Sequence, residues 1–243
     1  MKQMRLTQRI LSGSALGLLI SVGLSVTNTY AEPYIAAQVG TGIGNMKLSG
    51  VQLTDFSPPG SMSDRSLASS VLGGFKLGYY FPRAKWFGLE TEAYYMTPNI
   101  QQQPTTISVQ TGAVLRGVGP VAGGTTTSVL SGDNFRVMTW VPVNFMFRYY
   151  KTRLQPYFGI GPGIFMATVT SGNPQFQSSQ NSTRIGLNVK GGAEYYFTRH
   201  VTAFAEVKVN YARFDFSGNP NGGFGFKADY MPILMAVGLS YHF

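Results

Sequence analysis

Cysteine is absent from the 243 residues, so there is no disulfide framework, no thiolate metal site and no cysteine nucleophile. Charge is scarce as well. Only 12% of the residues are Asp, Glu, Lys or Arg, against about 25% in an average soluble domain, which argues against an ordinary cytosolic globule. After residue 31 no stretch offers the roughly 18 consecutive apolar residues that a spanning helix needs. Histidine is limited to His200 and His242. What the chain does have is glycine, 30 residues of it, which disfavours a helix-rich fold. Its 14% aromatic content excludes a disordered chain.

Residues 1–31 read as a cleaved signal peptide. Lys2, Arg5 and Arg9 precede an uncharged stretch from Ile10 to Val26, and Ala31 stands where a signal peptidase cuts. Serine and glycine at Ser12, Gly13, Ser14, Gly17, Ser21, Gly23 and Ser25 make that stretch a poor membrane anchor. Residues 32–243 are then one domain, either soluble in an exported compartment or crossing a membrane as strands.

The dominant period of that domain is two, the period of a strand with one apolar face. Val71 to Phe81, Phe87 to Tyr95, Val137 to Tyr149, Phe158 to Met166, Ile185 to Phe197, Val201 to Tyr211 and Ile233 to Phe243 all alternate, and a weaker run from Ile35 to Ile43 makes eight. Connections alternate in length. Pro82 to Lys85, Lys151 to Arg153 and Thr198 to His200 are tight turns, whereas Asn45 to Ser69, Thr97 to Asn134, Thr170 to Ser182 and Arg213 to Phe226 are long and polar. Short turns at one rim and long loops at the other are the asymmetry of a transmembrane β-barrel. The expected fold is therefore all-β: an eight-stranded antiparallel barrel with short periplasmic turns and long extracellular loops. A hairpin from Thr105 to Leu130 that extends the neighbouring strands as a ribbon is compatible with the pattern; its insertion as a fifth strand pair would give ten strands instead.

Charge decides which face is outside. The apolar set carries no Lys, Arg, Asp or Glu, and a Lys or Arg facing lipid at mid-depth costs about 2–4 kcal/mol. A water-facing wall would be about a quarter to a third charged. The apolar face therefore points to lipid and the other fills the lumen, which at eight strands is only wide enough for side chains. That inward set comprises Lys76, Glu90, Glu92, Arg136, Arg148, Arg184, Lys190, Glu194, Glu206 and Lys208. Buried in a closed interior, these charges have to pair. Tyr79, Phe81, Phe87, Tyr149, Tyr195, Phe197, Tyr241 and Phe243 lie beside the short turns, where an aromatic girdle meets the inner headgroups.

Several stretches carry a resemblance to a known group: Pro142-Val143-Asn144 leading to Arg148-Tyr149, Gln155 to Gly163, Phe204 to Lys208, and the ending Val237 to Phe243. In these the chain resembles the small outer-membrane β-barrels of Gram-negative bacteria, the group of the OmpA membrane domain, OmpX and the opacity-type proteins. The resemblance implies residence in the bacterial outer membrane among phospholipid and lipopolysaccharide. It also implies that Leu239, Tyr241 and Phe243 are an assembly signal read by the outer-membrane assembly machinery.

No chemistry-bearing constellation accompanies the pattern. Both histidines fall at the periplasmic rim, so no Ser-His-acid set assembles near the outer leaflet; no catalytic residue, metal site or cofactor is expected. The glycine runs Gly40 to Gly44 and Gly159 to Gly163 lack the strand-to-helix setting of a phosphate cradle, and in a narrow lumen glycine makes room for large neighbours. The sequence pI of 9.8 comes from scattered cations rather than a stripe interleaved with aromatics, so nucleic acid is not a partner. The expected protein is a porin-like but plugged monomer that works through exposed loops, by adhesion, contact with a cell-surface ligand or support of membrane integrity. A narrow solute channel is the alternative, and a lipid A-modifying enzyme a more distant one.

Overall fold

The computed structural model describes residues 32–172, 178–216 and 224–243; the signal-peptide expectation lies outside them. Every regular element among the described residues is a strand. Eight form the wall: β1 (Glu32–Ile43), β2 (Val71–Phe81), β3 (Ala84–Met96), β4 (Asn134–Arg148), β5 (Leu154–Thr170), β6 (Ser179–Tyr196), β7 (Val201–Phe216) and β8 (Ile233–His242). Each pairs antiparallel with its neighbour in sequence. The ring closes where β1 meets β8, from Tyr34 opposite His242 to Ile43 opposite Ile233. Up to the level where Leu187 stands opposite Tyr211, closure leaves no free sheet edge in the wall, which a membrane demands because lipid cannot hydrogen-bond an orphan backbone group.

Strand β7 shows how the chain fits its two solvents. Val201, Ala203, Ala205, Val207, Val209 and Tyr211 point outward, while Thr202, Phe204, Glu206, Lys208 and Asn210 are inside. Above Tyr211 the polarity inverts. Arg213 and Asp215 now face out, and Ala212, Phe214 and Phe216 are fully buried. The outward apolar run spans 11 residues, from 201 to 211, about the length a tilted strand needs to cross the hydrocarbon. On the lipid side Phe75 is 72% exposed and Leu239 62%, a surface no aqueous protein would present in a continuous belt.

Above the membrane the connections are folded, not loose. The top of β7 pairs with a strand at Phe226–Tyr230, which pairs with Lys47–Leu53, which in turn pairs with Gly60–Met62. Gly60–Met62 then pairs with a hairpin made of Gln103–Val109 and Gly124–Leu130. That hairpin is real, but it joins this upper sheet. It neither enters the wall to give ten strands nor runs on from β3, because Ile100, bridged to Leu67 and Asp133, interrupts the path. Beneath the sheet lies one apolar core. Leu48, Val51, Leu53, Leu130, Phe226 and Tyr230 come from the connections, and Met96, Phe135, Phe165, Phe214 and Phe216 from the upper barrel wall. Phe135 packs edge-on against Phe214 at 6.1 Å and Tyr230 at 5.8 Å, the arrangement aromatic quadrupoles favour. Arg65 ties the first connection to the second: 3% exposed, it donates to Thr105 Oγ1 at 2.6 Å and the Ser131 carbonyl at 3.0 Å. Burial lowers its pKa, against the pull of Asp133.

One strand departs from simple alternation. In β4, Phe145 and Phe147 face out with Asn144, Met146 and Arg148 inside, as expected; above them Val137, Thr139 and Val141 are buried inside and Met138 and Trp140 face out. The register slips at Pro142-Val143 on both sides of the strand. Proline cannot donate to the ladder, and a bulge adds one unpaired residue that exchanges the faces beyond it.

Lumen glycines leave space for rings. A Cβ on Gly78 would stand 2.2 Å from the Tyr34 ring, whose hydroxyl donates to Glu90 at 2.6 Å. Gly78→Leu is expected to lower the urea unfolding midpoint by the equivalent of about 1–3 kcal/mol, the usual cost of overpacking; an unchanged midpoint would show that the lumen has slack at this level.

Candidate functional site

Eight wall strands converge on two layers of charge. In the central layer three lysines meet three glutamates. Lys76 on β2 donates to Glu206 Oε1 at 2.6 Å, and Lys208, on β7 beside Glu206, lies 3.1 Å from the same oxygen. Lys208 also pairs with Glu92. Lys190 on β6 bridges the two acids of β3, pairing with Glu90 and lying 3.3 Å from Glu92. All six are buried, with at most 3% of each exposed.

Neutral side chains take up the remaining hydrogen-bonding capacity. Tyr34 donates to Glu90, Tyr157 to Glu206 at 2.7 Å, Asn144 to Glu92 at 3.3 Å, and Lys208 to Gln38 Oε1 at 2.9 Å. Lys76 also sits 4.1 Å from the centre of the Phe204 ring, a cation–π contact. The layer carries no net charge in its ionised form. That balance is what permits ions in a space from which water is nearly excluded.

The lower layer closes the periplasmic end. Arg148 on β4 forms a two-pronged pair with Glu32 at the start of β1 and stacks 3.6 Å from the centre of the Tyr80 ring. His242 on β8 lies 2.9 Å from Glu32 and 3.0 Å from Glu194. Thr202 donates to Glu194, and Tyr196 to Glu32 at 2.7 Å. Glu32 and His242 are thus network members that the alternation did not single out, since both stand at the extreme ends of the domain.

Of the ten ionic residues expected in the lumen, eight are brought together in these layers. Arg136 and Arg184 are not. Both are exposed near the outer rim. Arg136 faces out because the β4 bulge exchanges the faces above Pro142. Arg184 lies beyond the point, Leu187 opposite Tyr211, where β6 and β7 stop pairing, and at that open edge it pairs with Asp215 at 3.0 Å.

Around the lower outside, the aromatic residues form runs. Phe81 stacks on Phe87 at 5.6 Å, Tyr79 meets Phe81 edge-on, and Tyr195–Phe197 and Tyr241–Phe243 do the same at 5.2 Å and 5.1 Å. Tyr149 is half exposed beside them. Trp86, stacked on Phe147 at 6.0 Å, belongs to this ring too and could have been found from its place beside the Pro82 turn.

Two small cavities lie within the described residues. A cavity of about 10 Å³ separates the two layers between Tyr34, Glu90, Met146 and Glu194, and one of about 20 Å³ lies under the upper sheet between Leu48, Arg65, Ile100 and Phe226. Each is room for about one water molecule, not for a column of solute. Among the described residues no group of three His, Asp or Glu could hold a metal ion. His200 and His242 share the periplasmic end, His200 Nδ1 lying 2.8 Å from the His242 carbonyl oxygen.

A family model described as outer membrane protein beta-barrel domain matches residues 14–243. Among solved structures the chain is similar to the outer membrane protein OprG from Pseudomonas aeruginosa, with 14% identity over 89% of this chain and 97% of that one and a TM-score of 0.53. Neisserial surface protein A is similar at 14% identity, 88% and 99% coverage and a TM-score of 0.47. The outer membrane protease OmpT from Escherichia coli is similar at 10% identity, 86% and 97% coverage and a TM-score of 0.42. At such identities the likeness concerns fold alone, and of these three only OprG superposes well enough to support it. No curated protein matches the chain in sequence.

Glu206 faces two lysines at once, so Glu206→Leu leaves excess positive charge buried and is expected to cost about 3–5 kcal/mol in urea unfolding. Adding Lys76→Met should recover part of that loss. A single variant as stable as the parent would refute the coupling.

Proposed function

This chain belongs to the outer membrane protein beta-barrel domain family, and on that premise we propose that it is a non-enzymatic, plugged barrel that acts through its folded outer sheet. It sits in the bacterial outer membrane, with lipid against its wall. In the proposed reading residues 1–31 are removed on export, and the monomer is delivered by the assembly machinery through Leu239, Tyr241 and Phe243. All three project from the outer face of the last strand and its end, 62%, 45% and 63% exposed. The sheet above the membrane then meets a cell-surface ligand or a neighbouring cell.

One observation supports this reading above the others: two ionic layers occupy the lower lumen, and an apolar core lies above them under the outer sheet. A narrow solute channel would need a continuous polar path, which the apolar core of the upper barrel opposes. The outer sheet, in contrast, is ordered by main-chain pairing across three connections, which makes it a stiff platform of the kind that carries binding residues. Its outermost member is the hairpin, whose strand Gly124–Leu130 is exposed along nearly its whole length. Thr106 and Thr127 hydroxyls lie 2.9 Å apart across it, and Ser108 and Thr125 hydroxyls 3.0 Å. Such a row of polar hydroxyls suits a polar ligand.

Two experiments test the reading. Folded protein in planar bilayers is expected to stay silent; steady unitary current steps would contradict the plug. Deleting Gln101 to Leu130 joins Ile100 to Ser131, two residues before Asp133, whose backbone already exchanges hydrogen bonds of 2.9 Å and 3.1 Å with that of Ile100. The shortened protein should insert normally and lose cell-surface binding. Unchanged binding by the inserted variant would remove the hairpin from the reading.

A further inference from the structure

The charged side chains of the periplasmic turns are all cations. The turns and their edges hold Arg83, Lys85, Lys151, Arg153 and Arg199 without a single Asp or Glu, while the two carboxylates nearest them, Glu32 and Glu194, are engaged by Arg148 and His242 inside. Two of these turns stand side by side. Strands β5 and β6 pair from Leu154 opposite Tyr195, and the Tyr196 amide donates to the Arg153 carbonyl at 2.9 Å. A cleft of about 440 Å³ opens between turns 149–153 and 197–200, lined by Tyr150, Lys151, Arg153, Gln155, Phe197 and Arg199 among others.

Among the described residues none of the three cations here pairs with a carboxylate. The cleft also contains a buried acceptor: Gln155 is 8% exposed, and its Oε1 has no hydrogen-bond partner. Leading up from the cleft along the lipid-facing wall are Leu154, Phe158 and Tyr195, between 41% and 54% exposed. The place thus combines three unpaired cations, an acceptor that wants a hydroxyl, and an adjoining apolar strip in the membrane.

We propose that this cleft binds the headgroup of a glycerophosphate lipid of the inner leaflet, phosphatidylglycerol in type. The phosphate lies among Lys151, Arg153 and Arg199, a hydroxyl of the terminal glycerol donates to Gln155 Oε1, and the acyl chains follow the apolar strip. A free phosphate or glycerophosphate would satisfy the cations but leave the strip unused. The inference rests on the membrane placement of the barrel and is independent of what the outer sheet binds.

Native mass spectrometry of the detergent-solubilised folded protein tests it. Phosphatidylglycerol and phosphatidylethanolamine with the same acyl chains are offered together. One phosphatidylglycerol should be retained in preference. The triple variant Lys151→Gln, Arg153→Gln, Arg199→Gln should weaken that retention by on the order of 100-fold, about fivefold for each cation removed from an anionic surface. Gln155→Leu should narrow the preference for phosphatidylglycerol over phosphatidic acid, which lacks the hydroxyls. Arg83→Gln with Lys85→Gln, at a different turn, should change nothing. Unheated electrophoretic mobility verifies that each variant is folded. Equal retention of the two lipids, an equal loss in the Arg83 and Lys85 control, or displacement of the lipid by equimolar inorganic phosphate or glycerol 3-phosphate would each overturn the proposal.

Discussion

A closed ring of eight strands leaves an interior as wide as its own side chains and no wider, and every charge placed there must find its opposite inside the same ring. The central layer meets that constraint with three lysines and three glutamates drawn from β2, β3, β6 and β7. Tyr34 and Gln38 from β1, Asn144 from β4 and Tyr157 from β5 supply further contacts. Below, His242 brings in β8. A slip by one residue of any strand that carries one of these ions would turn the ion toward lipid and leave its partner unpaired, so the network fixes the register of those strands. Buried ion pairs add little net stability over well-packed apolar groups; specification of a single register is the better account of their presence here.

The same strands serve two solvents along their length. Below Tyr211, β7 is greasy outside and ionic inside; above it, charged outside and aromatic inside. The first half is a membrane protein and the second an aqueous one. This inversion lets the barrel wall continue upward as a support for the outer sheet, whose core includes Leu48, Val51, Phe135, Phe214 and Tyr230. On the charged outer flank of that sheet Asp215 meets both Arg184 at 3.0 Å and Lys227 at 3.3 Å.

Much of this is legible in the sequence because a strand's faces alternate with a fixed period and lipid tolerates almost no charge. Those two rules suffice to place Phe75 and Leu77 outside and Lys76 inside. They fail where the period breaks. Pro142-Val143 adds one residue to β4, so Arg136, read as a lumen cation by simple parity, faces water. Arg184 fails for another reason: β6 and β7 no longer pair above Leu187 opposite Tyr211, and at that open edge Arg184 reaches Asp215. The outer sheet was hidden because its strands are short and set among Gly, Ser, Thr and Asn. A signal existed all the same. Phe214 and Phe216 against Arg213 and Asp215, then Phe226, Ala228 and Tyr230 against Lys227 and Asp229, carry the alternation through a stretch that reads as loop by composition. Contacts between residues far apart in sequence, such as Glu32 with Arg148 and His242, have no local pattern at all.

The direction in which the wall faces can be measured residue by residue, since a chain without cysteine accepts single cysteines for spin labelling with no background. Labels placed in turn from Val201 to Asp215 in the protein folded into vesicles report contact with lipid-dissolved oxygen and with a water-soluble nickel complex. The odd positions up to 211 should be open to oxygen, the even ones shielded from both agents, and 213 and 215 open to nickel. Oxygen access at Glu206 and Lys208, or the same exposure at odd and even positions, would contradict the account.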